Sequence, residues 1–184
     1  IDHLKKAADA LGILTDGGPG IVCGPIVGQL GERPTTAPSP AQMHTRWCRA
    51  ADVLVEAAKY ANPHDYSPVV TFAIEPLNRF ELVAVNRLQH AAAIVELADS
   101  PHLGVMFDTH HMHLAEGAHP EVALEQCLRE GLIVHGHISH HNRGVPCQDD
   151  QIDYGPYFHV LRQFGYKGFL AVEAFGQYGP DEHA

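Results

Sequence analysis

The sequence predicts an α/β fold in which strands and helices alternate and the strands form a parallel sheet. Five apolar segments rich in β-branched residues alternate with five segments whose apolar residues recur at helical spacing. Four successive strands end in a side chain that can bind a metal ion, an arrangement typical of the carboxyl end of a parallel barrel. We therefore expect βα units of a (β/α)8 TIM barrel.

The first helix and the first strand are predicted at residues 1–12 and 20–27. Apolar residues of the helix follow a three- to four-residue spacing, and Gly12 is the expected C-cap. In the strand, Pro25 lacks a backbone donor, so we expect pairing to stop one or two residues before it. The loop 28–40 is rich in Gly, Pro, Thr and Ser, and its length predicts a lid or substrate loop.

A helix predicted at 41–61 leads into the most informative strand, at about 69–75. The strand is apolar on both faces, as expected for a strand buried in a parallel sheet. It ends in Glu75, and Pro76 follows at once. A carboxylate at this end of a barrel strand occupies the edge where catalytic groups collect.

The second half of the chain repeats the alternation three times. Helical spacing predicts helices at about 85–99, 120–130 and 156–164. Apolar runs predict strands at 103–107, 132–137 and 168–172, which end in Asp108, His137 and Glu173. A loop rich in Pro, Gly and Asp covers 142–153.

Composition and charge exclude several classes of protein. The net charge of −10 and the absence of a basic run argue against a nucleic-acid binder. No run approaches 18 apolar residues, so we expect no membrane span. The four cysteines are far apart and form no Cys-x-x-Cys motif, which predicts reduced thiols in a cytoplasmic protein. The 15 histidines, many of them clustered, point to metal chemistry or a polar site.

The four strand-end residues form the main candidate site: Glu75, Asp108, His137 and Glu173. They are 29 to 36 residues apart, about one βα unit each, so they can meet at one rim. One polar residue at a strand end is commonplace, but four in succession favour a metal site. Three carboxylates and one imidazole suit Mn²⁺ first, with Mg²⁺ or Co²⁺ as alternatives, better than structural Zn²⁺.

Several other polar residues near these strand ends are weaker candidates. His111 follows Asp108 by three residues and could face a substrate, whereas His110 and His113 are expected to be solvated loop residues. His135 shares the face of His137 and should lie one layer deeper, as a hydrogen-bonded neighbour.

The loop after His137 leaves its alternatives open. His140 and His141 could lie at the rim or on the surface, and Arg143 could bind a substrate hydroxyl or face water. Cys147 has no activating base that the sequence identifies, so it is expected to have no chemical role.

Four motifs resemble the ketose 3-epimerase family, which contains D-tagatose 3-epimerase and D-psicose 3-epimerase within the xylose-isomerase-like barrel superfamily. They are Ile-Glu-Pro-Leu-Asn-Arg-Phe-Glu at 74–81, Val-Met-Phe-Asp-Thr-His-His-Met-His at 105–113, His-Gly-His with Asn-Arg-Gly-Val-Pro at 135–146, and Ala-Val-Glu-Ala-Phe at 171–175. The resemblance is close over about 70–176 and looser elsewhere. The Asn-Arg-Phe-Glu and Asp-Thr-x-His elements are fairly specific to these epimerases, whereas the bare metal ligands are shared across the superfamily.

The resemblance implies roles for seven residues. Glu75, Asp108, His137 and Glu173 would bind the metal, Glu75 and Glu173 would also form the acid/base pair, and Glu81, His111 and Arg143 would contact substrate. The implied reaction epimerises a ketose at C3 by deprotonation and reprotonation through a metal-stabilised enediolate. The implied partners are a sugar substrate and further copies of the chain, since family members are often dimers or tetramers.

The chain departs from the family pattern in a few positions and in length. His140 and His141 stand where relatives carry acidic or small residues, Cys147 where the loop has glycine, and Tyr154 where tryptophan is common; these positions should shape the substrate pocket. Five strands of eight are expected, so we predict one domain, 1–184, that is the C-terminal part of a longer protein lacking three N-terminal βα units. Alternatively, a partner chain supplies those strands.

Other chemistries of the superfamily remain as alternatives. These are a hydroxypyruvate-type isomerase, a lyase of the dehydroshikimate dehydratase type and a phosphodiesterase of the endonuclease IV type. The acidic charge and the element at 78–81 argue against the last. An inactive barrel fragment that keeps the ligands without catalysis is a further alternative.

Overall fold

Five parallel strands and six helices make up the part of the chain that the computed structural model describes, residues 1–26, 38–64 and 70–175. The strands are β1 (Gly20–Gly24), β2 (Val70–Ile74), β3 (Leu103–Asp108), β4 (Ile133–Ile138) and β5 (Leu170–Val172). The helices are α1 (Asp2–Leu14), α2 (Pro40–Ala61), α3 (Leu88–Ala98), α4 (Thr109–Ala115), α5 (Pro120–Arg129) and α6 (Gly155–Gln163).

The strands lie in chain order, β1-β2-β3-β4-β5, and every neighbouring pair is parallel. The sheet curls, because Cys23 of β1 lies close to His135 and His137 of β4 although two strands separate them. The register pairs Asp108 with His137, so the carboxyl ends of β3 and β4 are level. This curled half-barrel confirms the predicted α/β barrel architecture.

The core lies between the curled sheet and the helices. Strand β3 is buried along all six residues, as expected for a strand covered on both faces. The largest buried apolar side chains include Leu54 of α2, Phe72 of β2, Leu88 of α3, Phe107 of β3 and Leu124 of α5. Within the described ranges, none of the helices combines the length and apolar character that crossing a membrane requires.

The prediction that Gly12 caps the first helix is wrong, because α1 continues to Leu14. Thr15 ends the helix: its backbone N–H and its hydroxyl both donate to the carbonyl of Leu11, each over 2.9 Å. The left-handed conformation that glycine favours occurs at Gly17, with a φ of 74°.

Helix α2 begins at Pro40, inside the segment 28–40 that was predicted to be a loop. Its start is fixed by a capping box, in which the Ser39 hydroxyl accepts from the N–H of Gln42 and the Gln42 side chain accepts from the N–H of Ser39. Residues 28–37 of the predicted lid lie outside the described residues. The helix predicted from about 85 begins at Leu88.

The structure contains α4, a seven-residue helix that the sequence analysis did not predict. The carboxylate of Asp108 caps it by accepting from the N–H of His110 over 2.7 Å. His110 is therefore buried within a helix, and its interpretation as a solvated loop residue is wrong. His113 also belongs to α4, where it is half-buried.

Candidate functional site

The carboxyl ends of β2 to β5 bring together the four residues predicted to bind a metal. Glu75 follows β2, Asp108 ends β3, His137 lies in β4 and Glu173 follows β5. One ligand atom from each lies within 4.8 Å of the others. We call Glu75, Asp108, His137 and Glu173 the four-residue centre.

Backbone pairing holds the two glutamates of this centre in position. The N–H of Glu75 donates to the carbonyl of Gly24 over 2.9 Å, which ties the end of β2 to the end of β1. The N–H of Glu173 donates to the carbonyl of Ile138 over 3.2 Å, which ties the end of β5 to β4. Both side chains therefore project from rigid strand ends rather than from free loops.

The crowding of three carboxylates in a partly buried centre shifts their pKa values. Burial, with repulsion from Asp108 and Glu173, raises the pKa of Glu75 to about 8. Burial and a hydrogen bond with Glu173 raise the pKa of Asp108 to about 7. The imidazole of His137, 3.5 Å away, lowers the pKa of Glu173 to about 2. The raised pKa values of Glu75 and Asp108 show that the three carboxylates of the centre repel one another and would be stabilised by a cation.

His137 responds to the same field. Burial acts to lower its pKa, but the nearby thiol of Cys23 and the carboxylates of Glu173 and Glu75 raise it to about 10. An imidazole with so high a pKa carries a proton at neutral pH and partly compensates the carboxylates.

The atoms of the centre fit a divalent cation. Within the described residues, Glu75 Oε1 and His137 Nδ1 are buried without a hydrogen-bond partner. His137 Nδ1 is 3.9 Å from Glu75 Oε1 and 3.5 Å from Glu173 Oε2. Adjacent ligands that share one cation at about 2.1 Å lie about 3 to 3.5 Å apart, so the second separation is at the upper end of this range and the first is somewhat wider. Three carboxylates and one imidazole form a largely hard donor set.

Arg143 inserts a cationic group among these carboxylates. Its Nη1 donates to Glu173 Oε2 over 2.7 Å and to Asp108 Oδ2 over 3.1 Å. Arg143 has a φ of 69°, a left-handed conformation that is uncommon for a residue other than glycine. The N–H of Arg143 donates to the carbonyl of His140 over 2.9 Å, which closes the turn that aims the guanidinium inward.

His111 is buried beside the centre, and its surroundings fix its protonation. Burial, together with the charge of Arg143, lowers its pKa to about 3, so the ring is neutral. The backbone N–H of Asn78 donates to His111 Nδ1 over 3.0 Å. Since Nδ1 must therefore accept, the single ring proton lies on Nε2, which faces Arg143 Nη2 at 2.8 Å. Two donors thus face each other at this point of the site.

The three residues predicted to contact substrate lie around Asn78. The side-chain amide of Asn78 donates to Glu81 Oε1 over 2.8 Å and also faces His111 Nδ1 at 3.0 Å. Glu81 Oε2 is 3.5 Å from Arg143 Nη2. Asn78 lies in the Asn-Arg-Phe-Glu element, but no role for it is predicted from the sequence.

Cys23 is a second residue whose proximity to the site was not predicted. Hydrogen bonds with His135 and His137 lower the pKa of its thiol to about 6. His135, expected to be hydrogen-bonded one layer below His137, has a buried Nδ1 without a partner among the described residues. Cys147, in contrast, is exposed.

A curled parallel half-barrel with a carboxylate–imidazole centre at the carboxyl ends of its strands defines a member of the TIM-barrel class. The family described as "Xylose isomerase-like TIM barrel" matches residues 2–184, and the chain belongs to that family.

The comparisons with individual proteins agree with this assignment and with the resemblance found in the sequence. A protein of Synechocystis sp. named "Probable ketose 3-epimerase" is 31% identical over 104 residues, covering 56% of this chain and 35% of that protein. The L-ribulose 3-epimerase of Methylomonas sp. is 27% identical over 172 residues, which cover 94% of this chain and 54% of that protein. A structure of D-psicose 3-epimerase with D-tagatose from Clostridium cellulolyticum H10 superposes with a TM-score of 0.75 at 25% identity. The match covers 97% of this chain and 58% of that one.

The chain spans about half the length, or less, of the curated relatives that it matches. The likeness therefore extends over the five described strands and over the rim that carries the four-residue centre.

Proposed function

We propose that this chain carries the metal centre and the acid/base pair of a sugar epimerase that inverts C3 of a ketose. The observation that carries the proposal is the meeting of two glutamates, one aspartate and one histidine at the carboxyl ends of four successive parallel strands. The curated relatives named as 3-epimerases support the same class of reaction.

The four-residue centre would hold the divalent cation through one oxygen from each of Glu75, Asp108 and Glu173 and one nitrogen of His137. When bound, the cation supplies a Lewis acid that polarises the substrate carbonyl and lowers the energy of negative charge on oxygen. We propose Mn²⁺, because three carboxylates favour a hard or borderline ion, with Mg²⁺ and Co²⁺ as substitutes.

Glu75 and Glu173 would move the proton. The hydrogen on C3 of a ketose is acidic because it lies next to the C2 carbonyl, and its removal leaves an enediolate. Glu75 follows β2 and Glu173 follows β5, so the two carboxylates flank the centre from opposite ends of its row of strands. One removes the proton from one face of C3, and the other returns a proton to the opposite face.

Arg143, His111 and Glu81 would orient the sugar. His111 Nε2–H and Arg143 Nη2 face each other as donors, and a substrate oxygen beside the pair would accept from both. Glu81 would accept from a hydroxyl, since Asn78 already fixes its other oxygen. Binding of this kind holds C3 at a defined distance from the two glutamates.

Hydrogen exchange at C3 tests the proposal directly. The protein is incubated with Mn²⁺ and a panel of ketohexoses and ketopentoses in D₂O, and the C3 hydrogen is followed by NMR. Deuterium should enter at C3 and the C3 epimer should appear, and a chelator should stop both. Glu173→Gln should reduce exchange by about 10² to 10⁴-fold.

The matched control is Glu125→Gln, which removes an α5 carboxylate that pairs with Arg129 away from the centre. It should exchange as the unmodified protein does. The absence of exchange with every ketose, in protein shown to contain Mn²⁺, would contradict the proposal, as would near-normal exchange in Glu173→Gln.

We further propose a cellular location and an assembly for the protein. The four cysteines are free thiols, which suits the reducing cytoplasm. We also propose that three further βα units complete the barrel and that the chain acts as a homo-oligomer on a free sugar, without nucleic acid or membrane.

A further inference from the structure

The loop after β4 carries a second group of possible ligands that shares no residue with the four-residue centre. His140, His141 and Asp150 each offer one atom within 4.8 Å of the others. We call these three residues the rim cluster. His140 and His141 stand where the resemblance to the ketose 3-epimerases leads one to expect acidic or small residues, so the cluster belongs to this chain rather than to the family pattern.

The spacing inside the rim cluster matches ligands around one ion. His141 Nδ1 is hydrogen-bonded to Asp150 Oδ1 over 2.9 Å, a contact that the ion would replace, and His140 Nε2 is 3.8 Å from the same oxygen. Ligands at about 2.1 Å from a tetrahedral ion are about 3.4 Å apart, which lies between these two separations. The two imidazole rings are tilted by 38° with centroids 4.2 Å apart, and a nitrogen of each lies within 4 Å of Asp150 Oδ1.

The carboxylate of Asp150 is buried and held in a fixed orientation. Its side chain is 1% exposed. Oδ1 accepts from the backbone N–H groups of His141 and Ile152, each over 3.1 Å, while the hydroxyl of Tyr154 donates to Oδ2. Burial acts to raise the pKa of Asp150, but these hydrogen bonds lower it to about 2, so the group is ionised at working pH. Hydrogen bonds of this kind commonly orient metal-binding carboxylates.

We propose that His140, His141 and Asp150 bind a borderline transition-metal ion of the Zn²⁺ class, with water completing its coordination. Two imidazoles and one carboxylate favour Zn²⁺, Co²⁺ or Ni²⁺ strongly over Mg²⁺ and Mn²⁺, whereas the three carboxylates of the four-residue centre discriminate less against these harder ions. The protein therefore has two cation sites of different selectivity.

An ion in the rim cluster would brace the turn that carries Arg143. The N–H of His140 donates to the carbonyl of Gly144 over 3.1 Å, and the N–H of Arg143 donates to the carbonyl of His140. Fixing both histidine rings would hold this turn in the geometry that directs Arg143 towards Asp108 and Glu173. The rim site would thus stabilise the loop without touching the reacting atoms.

The test measures Zn²⁺ binding to protein that has been stripped of metal and then saturated with Mn²⁺. Isothermal titration should give one tight Zn²⁺ equivalent, and dialysed protein should contain both metals by elemental analysis. His141→Ala and Asp150→Asn should weaken this Zn²⁺ binding at least tenfold. Asp150→Asn keeps the side chain's size and an acceptor oxygen, so it separates loss of a ligand from loss of the loop's structure. The control is His113→Ala, a half-buried histidine of α4 outside the cluster.

Zn²⁺ should also raise the thermal midpoint of the unmodified protein but not that of Asp150→Asn. Unchanged Zn²⁺ affinity in both cluster variants would overturn the proposal. So would Zn²⁺ binding that Asp108→Asn abolishes and His141→Ala leaves intact, because the ion would then occupy the four-residue centre. Neither result depends on C3 exchange, so this inference and the proposed function fail separately.

Discussion

The backbone N–H of Asn78 donates a hydrogen bond of 3.0 Å to Nδ1 of His111. A backbone donor cannot reverse its role, so this contact assigns the neutral ring of His111 its Nε2–H tautomer. That proton faces the four-residue centre, where His111 Nε2 is 3.8 Å from Glu75 Oε1. The segment after β2, which supplies Glu75, therefore also determines through Asn78 that His111 is a donor at Nε2.

If His111 donates through Nε2, a side chain that keeps a donor there should keep part of its function. His111→Leu should lower kcat/KM for the ketose by about 3- to 10-fold, the effect of losing one hydrogen bond to an uncharged group. His111→Gln, whose terminal amide can donate from a similar position, should recover part of this loss. Steady-state kinetics on the sugar identified by C3 exchange provide the measurement.

His113→Leu is the control for these variants, because His113 lies on the same helix but lines a separate cleft with Pro120 and Tyr157. Its kinetics should match those of the unmodified protein. If His111→Gln is no more active than His111→Leu, in variants with native circular dichroism, then Nε2 of His111 does not act as a donor to the substrate.

Arg143 should compete with the cation, because its guanidinium contacts oxygens of Asp108 and Glu173 that would bind the ion. Arg143→Ala removes both this competition and a nearby positive charge, so Mn²⁺ should bind more tightly, by about tenfold. The KM for the sugar should rise at the same time, since Arg143 is also proposed to bind substrate. Titration calorimetry with Mn²⁺ and steady-state kinetics measure the two effects.

Arg79→Ala is the matched control, since Arg79 is exposed and stacks on Phe80. It should change neither quantity. Weaker or unchanged Mn²⁺ binding in Arg143→Ala would show that the guanidinium assists the cation rather than competing with it.

The sequence predicted the strand ends well because the signal there is local. An apolar, β-branched run followed by Pro76 determines both where β2 stops and which carboxylate lies at its tip. The same reasoning placed Asp108, His137 and Glu173 at the ends of their strands, and the parallel sheet brought the four together. Helices were predicted less exactly, since Gly12 lies inside α1 and short α4 was missed.

Contacts that depend on the curl of the sheet could not be predicted from the sequence. Cys23 approaches His135 only because β1 and β4 face each other across the half-barrel. The insertion of Arg143 between Asp108 and Glu173 depends on its left-handed backbone, which no residue type near it required. The capping of α4 by Asp108 was missed because its carboxylate was interpreted only as a metal ligand.

Cation binding at the four-residue centre should release protons. In the metal-free protein Glu75 has a pKa of about 8 and His137 a pKa of about 10, so both carry a proton at pH 7. A cation binds the ionised carboxylate and the neutral imidazole, and it must displace those protons. Mn²⁺ affinity should therefore rise as the pH rises from 6 towards 10, and the number of protons released should fall over the same range.

Calorimetric titration with Mn²⁺ at pH 7, in buffers of different ionisation enthalpy, counts these protons. Asp108, with a pKa of about 7, holds a further half proton at pH 7. We expect about two to two and a half protons per ion in the unmodified protein, and about one fewer in Glu75→Gln. Binding without proton release at pH 7 would mean that the centre is already ionised and that the carboxylates do not hold protons in the absence of metal.

Gly104 should be required for packing between β3 and β4. A Cβ atom at this position would lie 2.6 Å from Val134 Cγ1 and 3.1 Å from the carbonyl oxygen of Leu132. Gly104→Ala should therefore lower the free energy of unfolding by about 1 to 3 kcal/mol, as overpacking of a core does. Gly12→Ala is the opposite case, because nothing lies within 4 Å of a Cβ there and Gly12 is inside α1. Gly12→Ala should raise the free energy of unfolding by about 0.5 to 1 kcal/mol. Urea denaturation measures both variants. Changes of the same sign in the two would contradict the difference in packing around Gly104 and Gly12.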